Sequence, residues 1–204
     1  IFVDIDEDSQ NISPELINSK VSVKAKAIIC VHLAGWPCEM ETIMEISKNL
    51  NLYVIEDCSQ AHGAKYKGAS VGSIGDIGCW SFCQDKIIST GGEGGMITTN
   101  NEKIWEKIWS YKDHGKSYHK LSKKQNQQDF RWLHDEFGSN YRMTEMQAVI
   151  GRIQLRKLDK WNVERNRYSQ TIWKFANEIS GLRVPKIPQE INHGCYRCYV
   201  FVRP

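Results

Sequence analysis

The stretch from Lys26 to Asp57, KAIICVHLAGWPCEMETIMEISKNLNLYVIED, decides the fold. It begins with a mostly apolar run, Lys26 to Leu33, as expected for a buried strand of a parallel sheet. A helical pattern of apolar residues follows from about Glu39 to Leu50, and a second apolar strand runs from Leu52 to Ile55. This succession of strand, helix and strand predicts one unit of a parallel sheet that is covered by helices.

The alternation of strands and helices continues on both sides of this unit. Ser13-Pro14 is a good helix start, because serine caps a helix and proline at the first helical position loses no needed hydrogen bond. Further strands are predicted from Ile77 to Phe82 and from Gly95 to Thr99. We therefore predict an α/β fold with a mostly parallel central sheet flanked by helices.

The second half of the chain is predicted to be more helical. A helix is expected from Asn101 to Tyr111, and residues 116–137 are polar and charged, which is typical of a long surface loop. Thr144 to Gln147 matches a capping box and predicts a long helix that runs to about Ile179. The segment from Val184 to Pro188 is then expected to be an extended linker into a second, smaller domain.

The composition excludes several classes of protein. The formal net charge is +3 and the pI is near 8.4, which argues against nucleic acid or an anionic membrane as a partner. No apolar run approaches the roughly 18 residues of a membrane helix, and the first residues do not resemble a signal peptide. The seven cysteines are expected to be reduced residues of a cytoplasmic protein, and the single CxxC of Cys195 and Cys198 predicts no metal site.

Two residues at predicted strand ends are candidates for chemistry. Asp57 follows a buried strand, so its carboxylate either caps a helix or contacts a ligand at the carboxyl edge of the sheet. Ser81 lies at the end of another strand, and its hydroxyl either binds a phosphate oxygen or bonds to the local backbone.

Lys86 is the third candidate, and it precedes the glycine cluster Gly91 to Gly95. It is either a solvated lysine or a Schiff-base lysine, whose amine condenses with a cofactor aldehyde once burial or nearby cations lower its pKa. The glycines would let the backbone pack close to a bulky cofactor. Lys86, Asp57 and Ser81 together match the needs of pyridoxal phosphate (PLP): an amine for the aldehyde, a carboxylate for the ring nitrogen and a donor for the phosphate.

Four longer motifs follow one another along nearly the whole chain. They are EDCSQAHGA (Glu56–Ala64), VGSIGDIG (Val71–Gly78), SFCQDK with GGEGGM (Ser81–Met96) and GSNYRMTEMQA (Gly138–Ala148). In this order the motifs resemble the DegT/DnrJ/EryC1/StrS family, which are sugar aminotransferases of PLP fold type I. The resemblance implies that fold, PLP as the cofactor, and transfer of an amino group from an amino acid, L-glutamate, to a nucleotide-linked keto-sugar.

The resemblance also implies roles for five residues. Lys86 would bind PLP covalently and later move a proton, and Asp57 would be the partner of the pyridine nitrogen. Gln60 would lie near the ring hydroxyl, and Ser81 would bind the phosphate. Asn140 would reach the phosphate in the neighbouring subunit, so the expected active unit is a homodimer with shared sites.

Three further residues are weaker candidates. His62 lies within the first family motif. Arg131 and Arg142 could bind the sugar diphosphate or the carboxylate of the amino donor. Alternatively, each arginine has only a surface or structural role.

The resemblance divides the chain into two parts. Residues 1–142 would belong to the large PLP-binding domain, and residues 143–204 would form a long helix and the start of a smaller C-terminal α+β domain. Residue 1 is not Met, and the segment from Tyr196 to Val202, which alternates like a strand, stops abruptly. We therefore expect an internal piece of a longer protein, without the family's upstream phosphate loop and without most of the small domain.

Two other functions stay open. A PLP-dependent sugar dehydratase of the same fold is the closer one, but some such enzymes have histidine in place of the Schiff-base lysine, and Lys86 therefore favours amino transfer. A non-catalytic regulator or nucleic-acid binder would use the basic stretch from Arg152 to Arg167. That stretch also contains Asp159 and Glu164 and has apolar residues at helical spacing, which indicates a solvated amphipathic helix.

Overall fold

The structure is a computed structural model that describes residues 1–122 and 134–203. In chain order its helices are α1 (Pro14–Lys20), α2 (Met40–Leu50), α3 (Glu102–Lys112), α4 (Tyr118–Ser122), α5 (Glu145–Leu155) and α6 (Leu158–Ala176). Its strands are β1 (Ala27–Val31), β2 (Tyr53–Asp57), β3 (Lys65–Tyr66), β4 (Ala69–Ser70), β5 (Ile77–Ser81), β6 (Gly95–Thr98), β7 (Leu182–Arg183), β8 (Ile191–Asn192) and β9 (Phe201–Val202). Within the described ranges, none of the helices is long and apolar enough to span a lipid bilayer.

The central sheet has four strands in the order β1-β2-β5-β6. The first three are parallel, and β6 at the edge is antiparallel to β5. Two smaller antiparallel pairings, β4-β3-β8 and β7-β9, lie outside this sheet. The predicted α/β fold with a mostly parallel central sheet is therefore confirmed.

The two faces of the central sheet differ in the described part of the chain. Ile28 and Cys30 of β1 are buried in a core that also contains apolar residues of α1 and α2. On the opposite face, Ile29 and Val31 are 63% and 38% exposed. The prediction that the β1 run is buried as a whole is therefore wrong for the described residues, because the helices here cover only one face.

The predicted long helix after Thr144 is two helices. The chain turns at Arg156 and Lys157, where the Lys157 N–H bonds to the carbonyl of Gln154, three residues back. After this tighter turn Leu158 begins α6 and is buried in a cluster with Phe82, the residue that follows β5. Burial of Leu158 is thus the tertiary contact that accompanies the interruption of the helix.

The helix start signals differ in outcome. The capping box at Thr144 is confirmed, since its side chain and that of Gln147 satisfy the backbone in both directions. Pro14 begins α1 as predicted, but Ser13 makes no side-chain cap bond. Asn101 caps α3 by accepting hydrogen bonds from two backbone N–H groups of the first turn.

Two predictions for the irregular segments need correction. Within the predicted loop 116–137, α4 forms a short helix, and residues 123–133 lie outside the described residues. The strand predicted from Tyr196 to Val202 is limited to β9. Side chains of α6 replace the strand partner there, because Arg165 donates hydrogen bonds to the backbone carbonyls of Cys195 and Tyr196.

Candidate active site

Two of the predicted site residues end neighbouring parallel strands. Asp57 is the last residue of β2 and pairs with Cys79 of β5, and Ser81 is the last residue of β5. Because side chains two positions apart on a strand point to the same face, Asp57, Cys79 and Ser81 share one face. Their edge is the carboxyl end of the parallel strands, where open α/β sheets bind ligands. The fold therefore brings Asp57 and Ser81 to one place.

Both of these side chains keep unused hydrogen-bonding capacity. Asp57 does not cap a helix, since a turn follows it and its Oδ1 accepts a bond of 3.0 Å from the N–H of Ser59. In the described residues no other hydrogen bond reaches this carboxylate. Ser81 Oγ accepts only a long bond of 3.4 Å from the N–H of Cys83. A ligand at this edge thus meets an open carboxylate oxygen and an available hydroxyl.

Gln60 lies in the turn that follows β2. Its Oε1 accepts a hydrogen bond of 2.8 Å from the N–H of Ala34, which fixes the loops after β1 and β2 to one another. Its Nε2 has no partner among the described residues and remains available as a donor.

Lys86 lies in the loop after β5 with its side chain only 13% exposed, so it is not a solvated surface lysine. Its Nζ lies 3.4 Å from Oδ1 of Asp85 and 5.1 Å from the centroid of the Tyr196 ring. Burial lowers the pKa of Lys86, but Tyr196, Cys83 and Asp85 raise it, and the net pKa lies above the ordinary lysine value. The predicted lowering of the pKa is therefore wrong for this structure, because the nearest polar groups are acceptors or anions.

An open cavity of about 390 Å³ adjoins Lys86. The other residues that line it are Ile87 and four residues of α6: Trp161, Glu164, Arg165 and Tyr168. A larger cavity of about 520 Å³ lies between Lys65 and residues 187–193 and contains none of the predicted site residues. The smaller cavity is therefore the one that bears on the site.

His62 is buried among aromatic rings. Its ring centroid lies 5.5 Å from that of Trp80 and 5.8 Å from that of Phe82, and neither ring nitrogen has a hydrogen-bond partner. Burial lowers the pKa of His62 to about 4, and the charge of Lys86 lowers it as well, while the backbone of Ser81 opposes the shift. The ring is therefore neutral at neutral pH.

Asn140 and Arg142 belong to a separate polar cluster. Asn140 forms an isolated antiparallel bridge with Asp113, and its Oδ1 accepts a bond of 3.0 Å from Nε of Arg142. The same Nε lies 3.7 Å from the Asp113 carboxylate. Within the described residues no hydrogen bond or ion pair joins this cluster to Lys86 of the same chain. The third weaker candidate, Arg131, lies outside the described residues.

The glycine cluster after Lys86 has explanations within its own loop. Gly91 and Gly92 have φ of +80° and +141°, a region that L side chains rarely adopt. At Gly94 a Cβ would lie 2.1 Å from Oγ1 of Thr90. The predicted close approach of a cofactor is therefore not required to account for these glycines.

Sequence reasoning misses a buried carboxylate beside Asp57. Glu56 is fully buried, and its two oxygens accept the N–H groups of Gly72, Ile74 and Gly75 at 2.7, 2.9 and 2.6 Å. The signal that finds it is the glycine-containing segment VGSIG, whose turns leave several N–H groups without partners in a ladder.

A fourth hydrogen bond to Glu56 comes from His32, at 3.0 Å from Nε2. Nδ1 of His32 accepts the N–H of Cys38 at 3.0 Å, so the neutral ring carries its proton on Nε2. Burial raises the pKa of Glu56, but the bonds from His32 and the glycine N–H groups outweigh it, and the net pKa is lowered. His32, Glu56 and Cys58 lie close enough together to hold a metal. Because Glu56 already accepts four hydrogen bonds and burial keeps the Cys58 pKa far above its usual range, we interpret the group as a structural anchor.

Comparison with solved structures gives the class of protein. The X-ray structure of the aminotransferase from Psychrobacter cryohalolentis is 54% identical with a TM-score of 0.95, and the match covers 99% of this chain and 53% of that one. The family follows from the whole sequence. Residues 1–204 match the DegT/DnrJ/EryC1/StrS aminotransferase family, and the chain belongs to it.

Two curated relatives indicate the range of substrates in similar proteins. The chain is 40% identical over 203 residues to the GDP-perosamine synthase of Escherichia coli O157:H7, which covers 100% of this chain and 52% of the relative. It is 36% identical over 197 residues to the UDP-N-acetyl-3-dehydro-alpha-D-glucosamine 3-aminotransferase of Acidithiobacillus ferrooxidans, which covers 95% and 49%. The chain thus spans about half the length of these relatives.

Proposed function

We propose that the full-length protein is a PLP-dependent aminotransferase that transfers an amino group from an amino acid, L-glutamate, to a nucleotide-linked keto-sugar in amino-sugar or surface-polysaccharide biosynthesis. One observation carries the proposal. In a chain of this family, Lys86, with a side chain only 13% exposed, follows strand β5, which ends in Ser81 and whose neighbour β2 ends in Asp57. The proposal includes the cytoplasmic location that the sequence predicts.

The predicted site residues fit PLP in their chemistry. Lys86 supplies a primary amine for the aldehyde, the open oxygen of Asp57 suits the ring nitrogen, and Ser81 Oγ suits the phosphate. The free Nε2 of Gln60 is a donor for the ring hydroxyl. When bound, PLP supplies an electron sink for the substrate carbon. In that reaction the Asp57 carboxylate keeps the ring nitrogen protonated, and Lys86 holds and moves a proton at Nζ.

A trapping experiment tests the lysine. In the full-length protein, borohydride reduction followed by peptide mapping is expected to find PLP on the peptide that contains Lys86. The variant Lys86→Ala is expected to lose both the adduct and the amino transfer. Lys103→Ala, on the exposed surface of α3, is the matched control and keeps both. PLP trapped on another lysine would overturn the assignment.

The substrate is tested with a panel of nucleotide-linked keto-sugars, with L-glutamate as the donor. The relatives described above are named for GDP-linked and UDP-linked substrates, so the panel includes both nucleotides together with dTDP. An amino sugar as the product supports the proposal. A product that has lost a hydroxyl as water would indicate the dehydratase instead, and a full-length protein that purifies without PLP would indicate the regulator.

The proposal includes a homodimer in which Asn140 serves the partner's site. The support is that Asn140 bonds to Arg142 and pairs with Asp113, and that among the described residues no hydrogen bond joins it to Asp57, Ser81 or Lys86. Mixing Lys86→Ala subunits with Asn140→Ala subunits leaves one intact site in each heterodimer. Random exchange is therefore expected to restore about a quarter of the wild-type activity. No recovery after verified subunit exchange would show that Asn140 does not act across the interface.

The division into residues 1–142 and 143–204 also remains a proposal. The open face of the central sheet supports it, because Ile29 and Val31 are exposed there and the relatives are about twice as long as this chain. In the longer protein we expect further helices of the large domain to cover that face. Hydrogen exchange of the full-length protein would then show protection of the β1 amides that is lost in this fragment.

A further inference from the structure

Asp85 links Lys86 to the C-terminal part of the chain. Its Oδ2 accepts a hydrogen bond of 2.7 Å from the hydroxyl of Tyr196, which lies 111 positions further along. Its Oδ1 lies 3.4 Å from Nζ of Lys86 and accepts a bond of 2.9 Å from the thiol of Cys83. A single carboxylate thus joins the lysine ammonium, a phenol and a thiol.

Tyr196 is fixed at both ends. Its ring is buried in a cluster with Phe82 and Ile87, and Arg165 on α6 donates a bond of 2.8 Å to its carbonyl oxygen. With the backbone and the hydroxyl both held, the ring gives Lys86 a rigid surface. The distance of 5.1 Å from Nζ to the ring centroid lies within the range of a cation–π contact.

The charges around Lys86 come from four parts of the chain. Asp85 is the nearest anion, and hydrogen bonds from Cys83 and Tyr196 hold its pKa far below the usual range, so it remains ionised wherever Lys86 titrates. Further titratable or charged groups lie near Lys86 or the Tyr196 ring in the described residues. They are His62 after β2, three residues of α6 (Glu164, Arg165 and Tyr168), and Arg197, whose guanidinium lies 5.3 Å from the Tyr196 ring centroid. His62 is neutral at every pH at which Lys86 titrates, because its pKa is lowered to about 4. Arg165 is bonded to backbone carbonyls. Asp85 and Tyr196 therefore dominate the surroundings of Nζ.

We propose that Asp85 and Tyr196 form a holding site for the amine of Lys86, which keeps the displaced lysine in place while it is not bonded to PLP and stabilises its ammonium form once Nζ has taken up a proton. The inference rests on the proposed function. In amino transfer the donor displaces the lysine, which must then act on a proton, and a held amine avoids a conformational search by a long, flexible side chain. Asp85 and Tyr196 are positioning residues, because they act through Lys86. The raised pKa of Lys86 agrees with such a site.

The test measures the pKa of Lys86 in the full-length protein after removal of PLP. Trace labelling with acetic anhydride from about pH 8 to about pH 12, read on the Lys86 peptide by mass spectrometry, gives the midpoint of deprotonation. The wild-type midpoint is expected above the ordinary value of about 10.4. Asp85→Asn is expected to lower this midpoint by about one pH unit. That is the lower end of the range of pKa shifts that an adjacent opposite charge causes, because Asp85 is half exposed.

Three further variants sharpen the result. Tyr196→Phe keeps the ring and removes the hydroxyl that bonds to Asp85, so a shift in the same direction is expected. Asp85→Glu keeps the carboxylate and is expected to restore most of the wild-type midpoint. Asp159→Asn, an exposed position on α6, is the matched control and leaves the midpoint unchanged. If Tyr196→Phe does not fold, Asp85→Asn and Asp85→Glu decide the question.

The outcomes separate this inference from the proposed function. A wild-type midpoint at or below the ordinary value, or an unchanged midpoint in Asp85→Asn, overturns the holding site even when borohydride still traps PLP on Lys86. The absence of a trapped Lys86 peptide in the wild-type protein overturns the proposed function instead, whatever the midpoints are.

Discussion

Glu56 and Asp57 are adjacent carboxylates at the end of one strand, and they face opposite sides of the sheet. Glu56 points into the covered face, is fully buried, and accepts four hydrogen bonds from His32 and the segment 72–75. Asp57 points to the open face and accepts one bond, from its own turn. The two residues have the same chemistry but different surroundings, so the difference between them comes from the covering of the sheet.

This difference separates a carboxylate that holds the fold from one that is available to a ligand. A buried charge is tolerated only when its hydrogen bonds are satisfied, and a satisfied charge has no capacity left for a substrate or a cofactor. Asp57 avoids that cost because it is only partly buried, and it keeps an oxygen free. Changes at the Glu56 face should therefore affect stability, and changes at the Asp57 face should affect binding and rate.

The largest effect is expected for Glu56→Ala. It leaves three backbone N–H groups and His32 without an acceptor, which is expected to lower the free energy of unfolding by about 3–5 kcal/mol. Glu56→Gln keeps one acceptor oxygen and is expected to cost less. Chemical denaturation of the full-length protein measures both, with Asp57→Ala as the comparison at under about 1 kcal/mol. Equal losses for Asp57→Ala and Glu56→Ala would contradict the distinction.

The second effect concerns acid sensitivity that comes from two buried histidines. The pKa values of His62 and His193 are lowered by burial to about 4, below the unfolded value of about 6.5. The unfolded chain therefore takes up protons first as the pH falls, and the stability present above pH 6.5 is lost towards pH 4. Each histidine is expected to lower the free energy of unfolding by about 2 kcal/mol when the pH falls from about 7 to about 5. His62→Phe removes one of these protons and keeps an aromatic ring beside Trp80 and Phe82. A pH slope equal to that of the wild type in this variant would refute the assignment.

The third effect is on rate. Asp57→Asn keeps the shape and the bond to Ser59 but removes the charge, so amino transfer is expected to fall about a hundred-fold, or about 2.7 kcal/mol. The free energy of unfolding should change by less than about 0.5 kcal/mol. Asp76→Asn is the matched control, since Asp76 accepts the N–H of Val54 at the opposite edge of the same strands. Near wild-type turnover in Asp57→Asn would remove this residue from the mechanism.

Some of this arrangement is predictable from the sequence and some is not. Apolar periodicity locates β1, β2 and α2, and the rule for parallel strands puts Asp57 at the ligand edge. The apolar pattern of a strand does not show whether helices cover one face of the sheet or both. The sequence therefore does not predict the open face on which Ile29 is exposed. The four bonds of Glu56 join residues that are 16 to 24 positions apart, and the bond from Tyr196 to Asp85 joins residues 111 positions apart. The contact between Tyr196 and Asp85 leaves no local pattern, and the sequence therefore predicts a lowered rather than a raised pKa for Lys86.

The smallest effect is expected for a pair of hydroxyls, one on each face. Thr98 on β6 donates a bond of 2.6 Å to the carbonyl of Gly72 and accepts one of 3.1 Å from Nε1 of Trp80. Thr98→Val should therefore lower the free energy of unfolding by about 1–2 kcal/mol and leave PLP affinity unchanged. Ser81 accepts only the long bond from Cys83, so Ser81→Ala should change the unfolding free energy by less than about 0.5 kcal/mol. Loss of one phosphate donor should weaken PLP binding about ten-fold, about 1.4 kcal/mol, as measured by fluorescence titration of the cofactor-free protein. The reverse result, a destabilised Ser81→Ala with full PLP affinity, would place Ser81 with the residues that hold the fold.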